Sequence, residues 1–302
     1  MIVYNRCARL FLFAFRRYVV RQKIPLLASF KLTYRCNLAC LACPYHHRSG
    51  ETGGHMSREK ALQSLKTLQD AGTAIVVFEG GEPFLWHDGS YGLEDLIRYA
   101  RQRFFRVAVT TNGTFPLTST ADILWVSLDG LEANHDRLRS RSFNLAWKNL
   151  QASGHQRLFV HYTINRQNRN DIRPLLERLR GIKAFKGLTL QLFYPYDQGE
   201  APLALTGPER QETLEAVIDL KRRGFPILNS IGRLQGMIRN DWRCHEDILI
   251  NVDPDGTVTP GCYVKNRGAV NCLACGFTPV AEASGAVDMI PGSLWAGLSI
   301  FR

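Results

Sequence analysis

The sequence predicts an α/β fold: a partial (β/α)6 TIM-like barrel with a small C-terminal cysteine-rich extension. Three observations carry this expectation. Between residues 28 and 225, six short apolar runs alternate with stretches of helical periodicity, which implies a parallel sheet built by right-handed crossovers. The runs are close to continuous in apolar residues, as in Ala74-Ile75-Val76-Val77-Phe78, the pattern of strands buried on both faces. Past Phe225 the alternation stops and four cysteines follow close together. A doubly wound open sheet fits the same alternation, and in either architecture function lies at the C-terminal ends of the strands.

Three segments are expected: a basic amphipathic helix within residues 1–27, the barrel core over 28–225, and a metal-binding extension over 226–302. In the first, a helix over 4–20 gathers Tyr4, Cys7, Phe11, Phe15, Tyr18 and Val19 on one side and Arg6, Arg9, Arg16, Arg17 and Arg21 on the other. Arginines flank a short apolar stretch and no small-residue cleavage site follows, so this is not a secretory leader. Such a helix either lies in a membrane interface or packs its aromatic face on the body of the protein.

The repeat then runs in order. A strand over 28–33 leads into a cysteine-containing loop. Ser57 caps a helix to Ala71, with Lys60 where a capping box would place an acid. Strands follow at 74–78, 107–110, 123–127, 158–163 and 188–193, with helices at 93–102, 143–151 and 171–180 between them. Thr206 and Pro208 open a last helix that reaches Arg223. The tail over 276–302 has little regular signal, and Leu294-Trp295 and Ile300-Phe301 suggest that it folds back onto the body.

Seven of the eight cysteines fall in two short-spaced groups, the usage of metal sites in a reducing compartment and not of a secreted disulfide framework. Lys and Arg total 38 against 27 Asp and Glu, a net charge of +11 that suits an anionic surface, substrate or redox partner. No Lys/Arg run with interleaved aromatics tracks a phosphate backbone, so nucleic acid is not expected. No apolar stretch reaches the ~20 residues of a spanning helix. A cytoplasmic location is expected, with peripheral contact at the inner face of the membrane through residues 4–20.

The first group, Cys36, Cys40 and Cys43, has the spacing C-x3-C-x2-C and directly follows the first strand. Three thiolates saturate three irons of a [4Fe-4S] cluster and leave the fourth open. The second strand ends in Gly80-Gly81-Glu82-Pro83, where two glycines let the backbone approach a ligand and Glu82 can accept from an ammonium group. The third ends in Thr111-Asn112-Gly113, the fourth in Ser127-Leu128-Asp129-Gly130 and the fifth in Asn165.

These elements, in this order, resemble the radical S-adenosylmethionine (SAM) superfamily across residues 28–225. The resemblance implies a cluster on Cys36, Cys40 and Cys43 whose open iron chelates the amino and carboxylate groups of SAM, and reductive cleavage of SAM to a 5′-deoxyadenosyl radical that takes hydrogen from an organic substrate. It implies an external flavodoxin- or ferredoxin-like electron donor. It places the SAM amine on Gly80, Gly81, Glu82 and Pro83, and SAM contacts on Asn112, Ser127 and Asn165. Arg139, with Arg137 and Arg141, is a candidate for the SAM carboxylate. Asp129 faces the substrate or supports the sheet. Ala42 stands where the family carries an aromatic residue beside adenine; its backbone remains a contact, and Tyr45 is a candidate replacement ring.

In the second group, Asp255-Gly256 between two alternating runs marks a hairpin that presents Cys262, flanked by Cys244 and by Cys272 and Cys275. Four cysteines suit a second, fully ligated [4Fe-4S] cluster or a structural zinc. The stretch resembles the shorter, twitch-type version of the SPASM auxiliary-cluster extension. A peptide or a membrane lipid is the expected substrate class. The rival reading is a non-catalytic iron–sulfur or zinc scaffold.

Overall fold

The computed structural model describes residues 2–41, 43–45, 54–195, 200–265 and 271–302, with residues 2–5 described in their backbone alone. Helix α1 is Ile2–Ala14, continued by a π-helical turn Phe15–Val19. The repeat follows as β1 Leu27–Thr33, α2 Arg58–Asp70, β2 Ile75–Gly80, a small hairpin of β3 His87–Asp88 and β4 Tyr91–Gly92, α3 Leu93–Arg101, β5 Arg106–Thr111 and β6 Ile123–Ser127. Next come α4 Glu132–Leu138, α5 Phe143–Ala152, β7 Leu158–Ile164, α6 Ile172–Leu179, β8 Phe185–Leu192 and α7 Gly207–Arg222. The C-terminal part adds α8 Ile231–Arg239, β9 Leu249–Val252, β10 Val258–Pro260, α9 Thr278–Val287 and α10 Pro291–Phe301.

Six of the strands, β1, β2, β5, β6, β7 and β8, lie parallel and side by side in that order, the expected partial barrel. Alternation along each strand sends one set of side chains toward the helices and the other into the barrel. Phe30, Phe78, Val109 and Val126 go outward and share one core with Leu65, Leu96 and Leu150 of the helices. Ser29, Glu79, Thr110, Ser127, His161 and Gln191 go inward and line a cavity. Local chemistry sets the helix starts: the Ser57 hydroxyl accepts from the Lys60 N–H, and Thr206 and Glu209 form a full capping box at α7.

The C-terminal hairpin joins the same sheet. Strand β9 pairs parallel with the outer edge of β1, Leu27 opposite Leu249, and β10 runs antiparallel outside it. The tail, expected to be irregular, instead forms α9 and α10. Its glycines hide the helical period, yet they are what lets the helices meet. A Cβ on Gly285 would fall 2.3 Å from Ser293 Oγ, and one on Gly292 would fall 3.3 Å from Ser230 Cβ. Ile300 and Phe301 pack on the barrel floor as expected, whereas Trp295 is exposed.

Of the two readings of helix α1, the one in which its aromatic face packs on the body is corrected. Its arginines face the body instead. Arg6 is buried and pairs with Asp122, Arg9 donates to the Gln102 carbonyl, and Arg17 pairs with Asp247. Phe13 packs among Ile24, Ile248 and Val287, while Phe11, Phe15, Tyr18 and Val19 are exposed. The ion pairs decide the orientation, because both acids sit at the N-terminal ends of strands and leave the helix one way to satisfy them. The side chain of Tyr4 is outside the described residues.

Among the described residues, no helix is long and apolar enough to cross a membrane.

Candidate active site

The site is built where β1, β2, β5, β6 and β7 end. The cysteine loop leaves β1 and is tied down from several sides. The Asn37 amide donates to Thr114 Oγ1 at 2.8 Å and accepts from Asn112 Nδ2 at 2.9 Å. The Ala39 N–H donates to Ser140 Oγ, and the Leu41 N–H to the Leu138 carbonyl. Ser140 and Arg141 both adopt positive φ, 55° and 57°, at the sharp turn after α4 that offers these acceptors.

Cys36, Cys40 and Cys43 line one end of the cavity, and no disulfide uses them. Burial pushes the Cys40 thiol up to about 12, with Arg139 opposing and Cys43 and Cys36 adding to the rise. Burial also raises Cys36, against which the Leu38 N–H and Asn112 Nδ2, donors to its sulfur, act. Thiols that feel one another's charge, with N–H groups directed at one sulfur and a guanidinium beside them, fit a thiolate-held cluster.

The two glycines after β2 serve a purpose the sequence reading missed. Gly80 has φ +121°, and a Cβ there would lie 2.6 Å from the Thr33 carbonyl. At Gly81 a Cβ would lie 2.1 Å from the Arg35 carbonyl. The backbone they admit is that of the cysteine loop, held by Gly81 N–H to Thr33 and Glu82 N–H to Arg35. Both still line the cavity.

Glu82 is fully buried and its carboxylate is taken by the protein. It accepts from Thr111 Oγ1 and the Asn112 N–H, each at 2.8 Å, and from the Phe84 N–H at 3.2 Å. Burial raises it to about 7 against these three bonds. It ties the end of β2 to the end of β5, and neither Glu82 nor the buried Pro83 is among the residues lining the cavity.

Asn112 lines the cavity but is held on both sides of its amide, its Oδ1 accepting from the Thr114 N–H and hydroxyl. Ser127 lines the cavity at the end of β6. Asn165 also lines it, and its Oδ1 caps its own turn by accepting from the N–H groups of Gln167 and Asn168. Asp129 both supports the sheet and faces the cavity: Oδ1 accepts from the Thr163 N–H and Oδ2 from Arg139 Nε. Of the three arginines considered, Arg139 reaches the cavity, and Arg137 and Arg141 are exposed. Ala42, His46 and His47 lie outside the described residues, and Tyr45 lines the cavity stacked on Tyr34 at 5.9 Å.

The second cysteine group lines the same cavity, which has a volume of about 850 Å³. The hairpin delivers Cys262 and the short 3-10 turn Cys272–Ala274 brings the pair Cys272 and Cys275. Burial pushes Cys244 up to about 12, with Cys262, Cys275 and Cys272 among the charges that add to the rise. Among the described residues no three His, Cys, Asp or Glu converge on a single-ion site. Four cysteine thiols on one cavity wall are a donor set for a [4Fe-4S] cluster or for a tetrahedral zinc. Arg210 of α7, missed in the sequence, braces the turn that carries Cys272 and Cys275 by donating to the carbonyls of Ala274, Cys275 and Met237 and to Asn240 Oδ1.

The Radical SAM superfamily model matches residues 30–179. The Fe-coproporphyrin III synthase of Methanosarcina barkeri is 30% identical over 213 residues, covering 65% of this chain and 52% of the relative. The antilisterial bacteriocin subtilosin biosynthesis protein AlbA of Bacillus subtilis is 30% identical over 54% of this chain and 39% of its own length. The chain thus spans about half, or less, of these curated relatives. In fold it is similar to Streptococcus suis SuiB bound to S-adenosylmethionine, with a TM-score of 0.63 and 16% identity over 95% of this chain and 72% of that one. The chain belongs to the radical SAM superfamily. That membership implies a [4Fe-4S] cluster and SAM as cofactors.

Proposed function

We propose that this enzyme takes a hydrogen atom from an organic substrate held in the cavity between the two cysteine groups. The observation that carries the reading is that Cys36, Cys40 and Cys43 and the four C-terminal cysteines line one continuous cavity. When bound at the first group, the cluster and SAM supply one-electron cleavage of SAM and a 5′-deoxyadenosyl radical. Cys36, Cys40 and Cys43 would hold that cluster. Gly80 and Gly81 offer backbone carbonyls to the SAM amine, and Arg139, steered by Asp129, offers its remaining N–H groups to the SAM carboxylate. Ser127 and Asn165 would complete the SAM contacts. Glu82, Pro83 and Asn112 act on the SAM site through the loops they fix, not by direct contact.

Cys244, Cys262, Cys272 and Cys275 would hold a second [4Fe-4S] cluster with no open iron, suited to passing an electron to or from the substrate. An acidic flavodoxin- or ferredoxin-like protein suits the basic surface as reductant. The named relatives act in tetrapyrrole and bacteriocin biosynthesis, so peptides and large planar or extended organic molecules belong to the range this scaffold admits.

Anaerobic reconstitution tests the reading. Roughly eight irons per chain, with 5′-deoxyadenosine formed from SAM and dithionite, are expected. Zinc at the C-terminal group, with about four irons in all, would remove the second cluster; 5′-deoxyadenosine formed by the Cys36→Ala variant would remove the first assignment.

A further inference from the structure

The cavity does not end at the cysteines. Its wall changes character along the barrel axis, from Glu79, Ser127, His161 and Gln191 in the middle to Leu27, Ile75, Phe105 and Trp125 toward the floor. Leu27 and Trp125 are only half-buried although they point into the barrel, so the floor is not sealed by packing. At the far end the lining passes to Leu10 of α1 and to Leu298, Phe301 and Arg302 of α10, of which Leu10, Leu298 and Arg302 are exposed.

Around this mouth the surface is inverted relative to an ordinary amphipathic pair. The arginines of α1 are turned into ion pairs and carbonyl contacts with the body, and the apolar side chains are turned out. Phe11 is 74% exposed and Trp295 70% exposed, with Val19 and Leu298 also open. Large apolar side chains exposed on the two helices that border this mouth mark an interaction surface. Its charge selects the partner. Residues 1–28 and 289–302 contain no Asp or Glu, while Arg21, Lys23 and Arg302 are exposed at its margins. Two copies of such a face repel each other, whereas an anionic bilayer complements it.

We propose that the barrel floor is a lipid port. Helices α1 and α10 lie in the headgroup region of an anionic membrane, and the substrate is a membrane amphiphile whose hydrocarbon chain enters past Leu10 and Phe301 toward the cysteine-lined end. The proposal rests on the radical reading above for its chemistry and adds the substrate class and its route. The barrel is short enough for this: a seven-residue strand such as β1 spans about 23 Å. The polar band at Glu79 and His161 would then meet the polar or functionalised part of the chain, and the apolar floor its tail.

The test uses the reconstituted holoenzyme with two probes, vesicles of phosphatidylcholine with or without phosphatidylglycerol, and dansyl-labelled undecanoic acid in solution. Wild-type protein should bind the phosphatidylglycerol vesicles and the fatty acid. Phe11→Glu, which is outside the cavity, should weaken vesicle binding about tenfold and leave the fatty-acid affinity unchanged. Leu10→Asp, at an exposed position on the mouth, should weaken fatty-acid binding about tenfold. Equal vesicle binding by wild type and Phe11→Glu would overturn the proposal, as would fatty-acid binding unaffected by Leu10→Asp. A concentration-dependent dimer that Phe11→Glu dissolves, without vesicle binding by the wild type, would assign the face to a second copy and overturn it too. Neither probe requires SAM cleavage, so loss of the lipid port leaves the 5′-deoxyadenosine assay standing, and the reverse.

Discussion

Asp129 and Arg139 form an ion pair, Oδ2 to Nε at 2.5 Å, between the end of β6 and the end of α4, on the wall of the cavity beside Cys40. Both side chains are largely buried, and Asp129 raises the Arg139 pKa against the effect of burial. The pair fixes which way the guanidinium presents its free N–H groups. Asp129→Asn leaves a buried cation without its counter-charge, so it should cost about 3 kcal/mol of stability. It should also weaken SAM binding more than Arg137→Ala does. Chemical denaturation and equilibrium SAM binding measure the two effects; an Asn variant as stable as wild type would show that the pair is solvated.

Gly81→Ala should not assemble the site. The added methyl carbon would meet the Arg35 carbonyl carbon and oxygen, which are backbone and cannot swing away. A cost above about 3 kcal/mol is expected, read as a lowered melting temperature and a loss of iron at the first cysteine group. Gly89→Ala is the control: its φ of +59° is strained in a residue with a Cβ, but nothing lies within 4 Å, and its iron content should match wild type.

Asn112→Ala should shift the reduction potential of the first cluster to more negative values. Asn112 Nδ2 lies 3.6 Å from Cys36 Sγ, and an N–H group near a ligating sulfur favours the more negative, reduced cluster. Potentiometric titration followed by electron paramagnetic resonance gives the answer, and an unchanged or raised potential would rule the contact out as a tuning element. The loop should loosen as well, because Asn37 loses a donor.

Acid should destabilise the fold through His135. Burial, with the Arg139 cation adding, holds its pKa down to about 4 from an ordinary 6.5. Its Nδ1 lies 3.2 Å from the Asp129 N–H and its Nε2 3.0 Å from the Ser142 hydroxyl. The unfolded chain binds the proton first, so stability is complete above pH 6.5 and falls as the pH drops toward 4. At pH 5 the loss from this one residue is about 2 kcal/mol. His135→Gln cannot titrate and should show a flatter stability profile between pH 7.5 and 5; parallel profiles would exclude His135 as the cause. His161, pushed down to about 4 chiefly by burial, adds a loss of the same sign in both proteins.

The six barrel strands were legible because each is a short apolar run set between turn residues, and the structure moves their bounds by only a few positions. The edge pairing of β9 with β1 was not, since nothing local in residues 249–252 names a partner so far away in sequence. Helices α9 and α10 were lost to Gly285 and Gly292, residues that read as breakers and act as contact points. In the site, the meeting of Cys36, Cys40, Cys43 and the Gly80-Gly81 turn on one cavity was legible from their order at successive strand ends. The use of Glu82 could not: a carboxylate looks the same in sequence whether it meets a ligand or the Thr111 hydroxyl. Arg210 and the inward arginines of α1 escaped for the same reason, because their acceptors, Met237 and Cys275 for one and Asp122 and Asp247 for the others, are distant in the chain.

The pairing of β1 with β9 has a consequence for how the chain is made. β1 leaves the ribosome more than 200 residues before β9. Until β9 is synthesised, one edge of a buried, apolar strand has no partner, and an unpaired edge of that kind recruits other chains. The second cysteine segment therefore covers the open edge of β1 as well as adding a site. A chain truncated before residue 249 should aggregate during expression rather than accumulate as a smaller, one-cluster enzyme, and the early strand is held in trust by whatever shields it until the hairpin arrives.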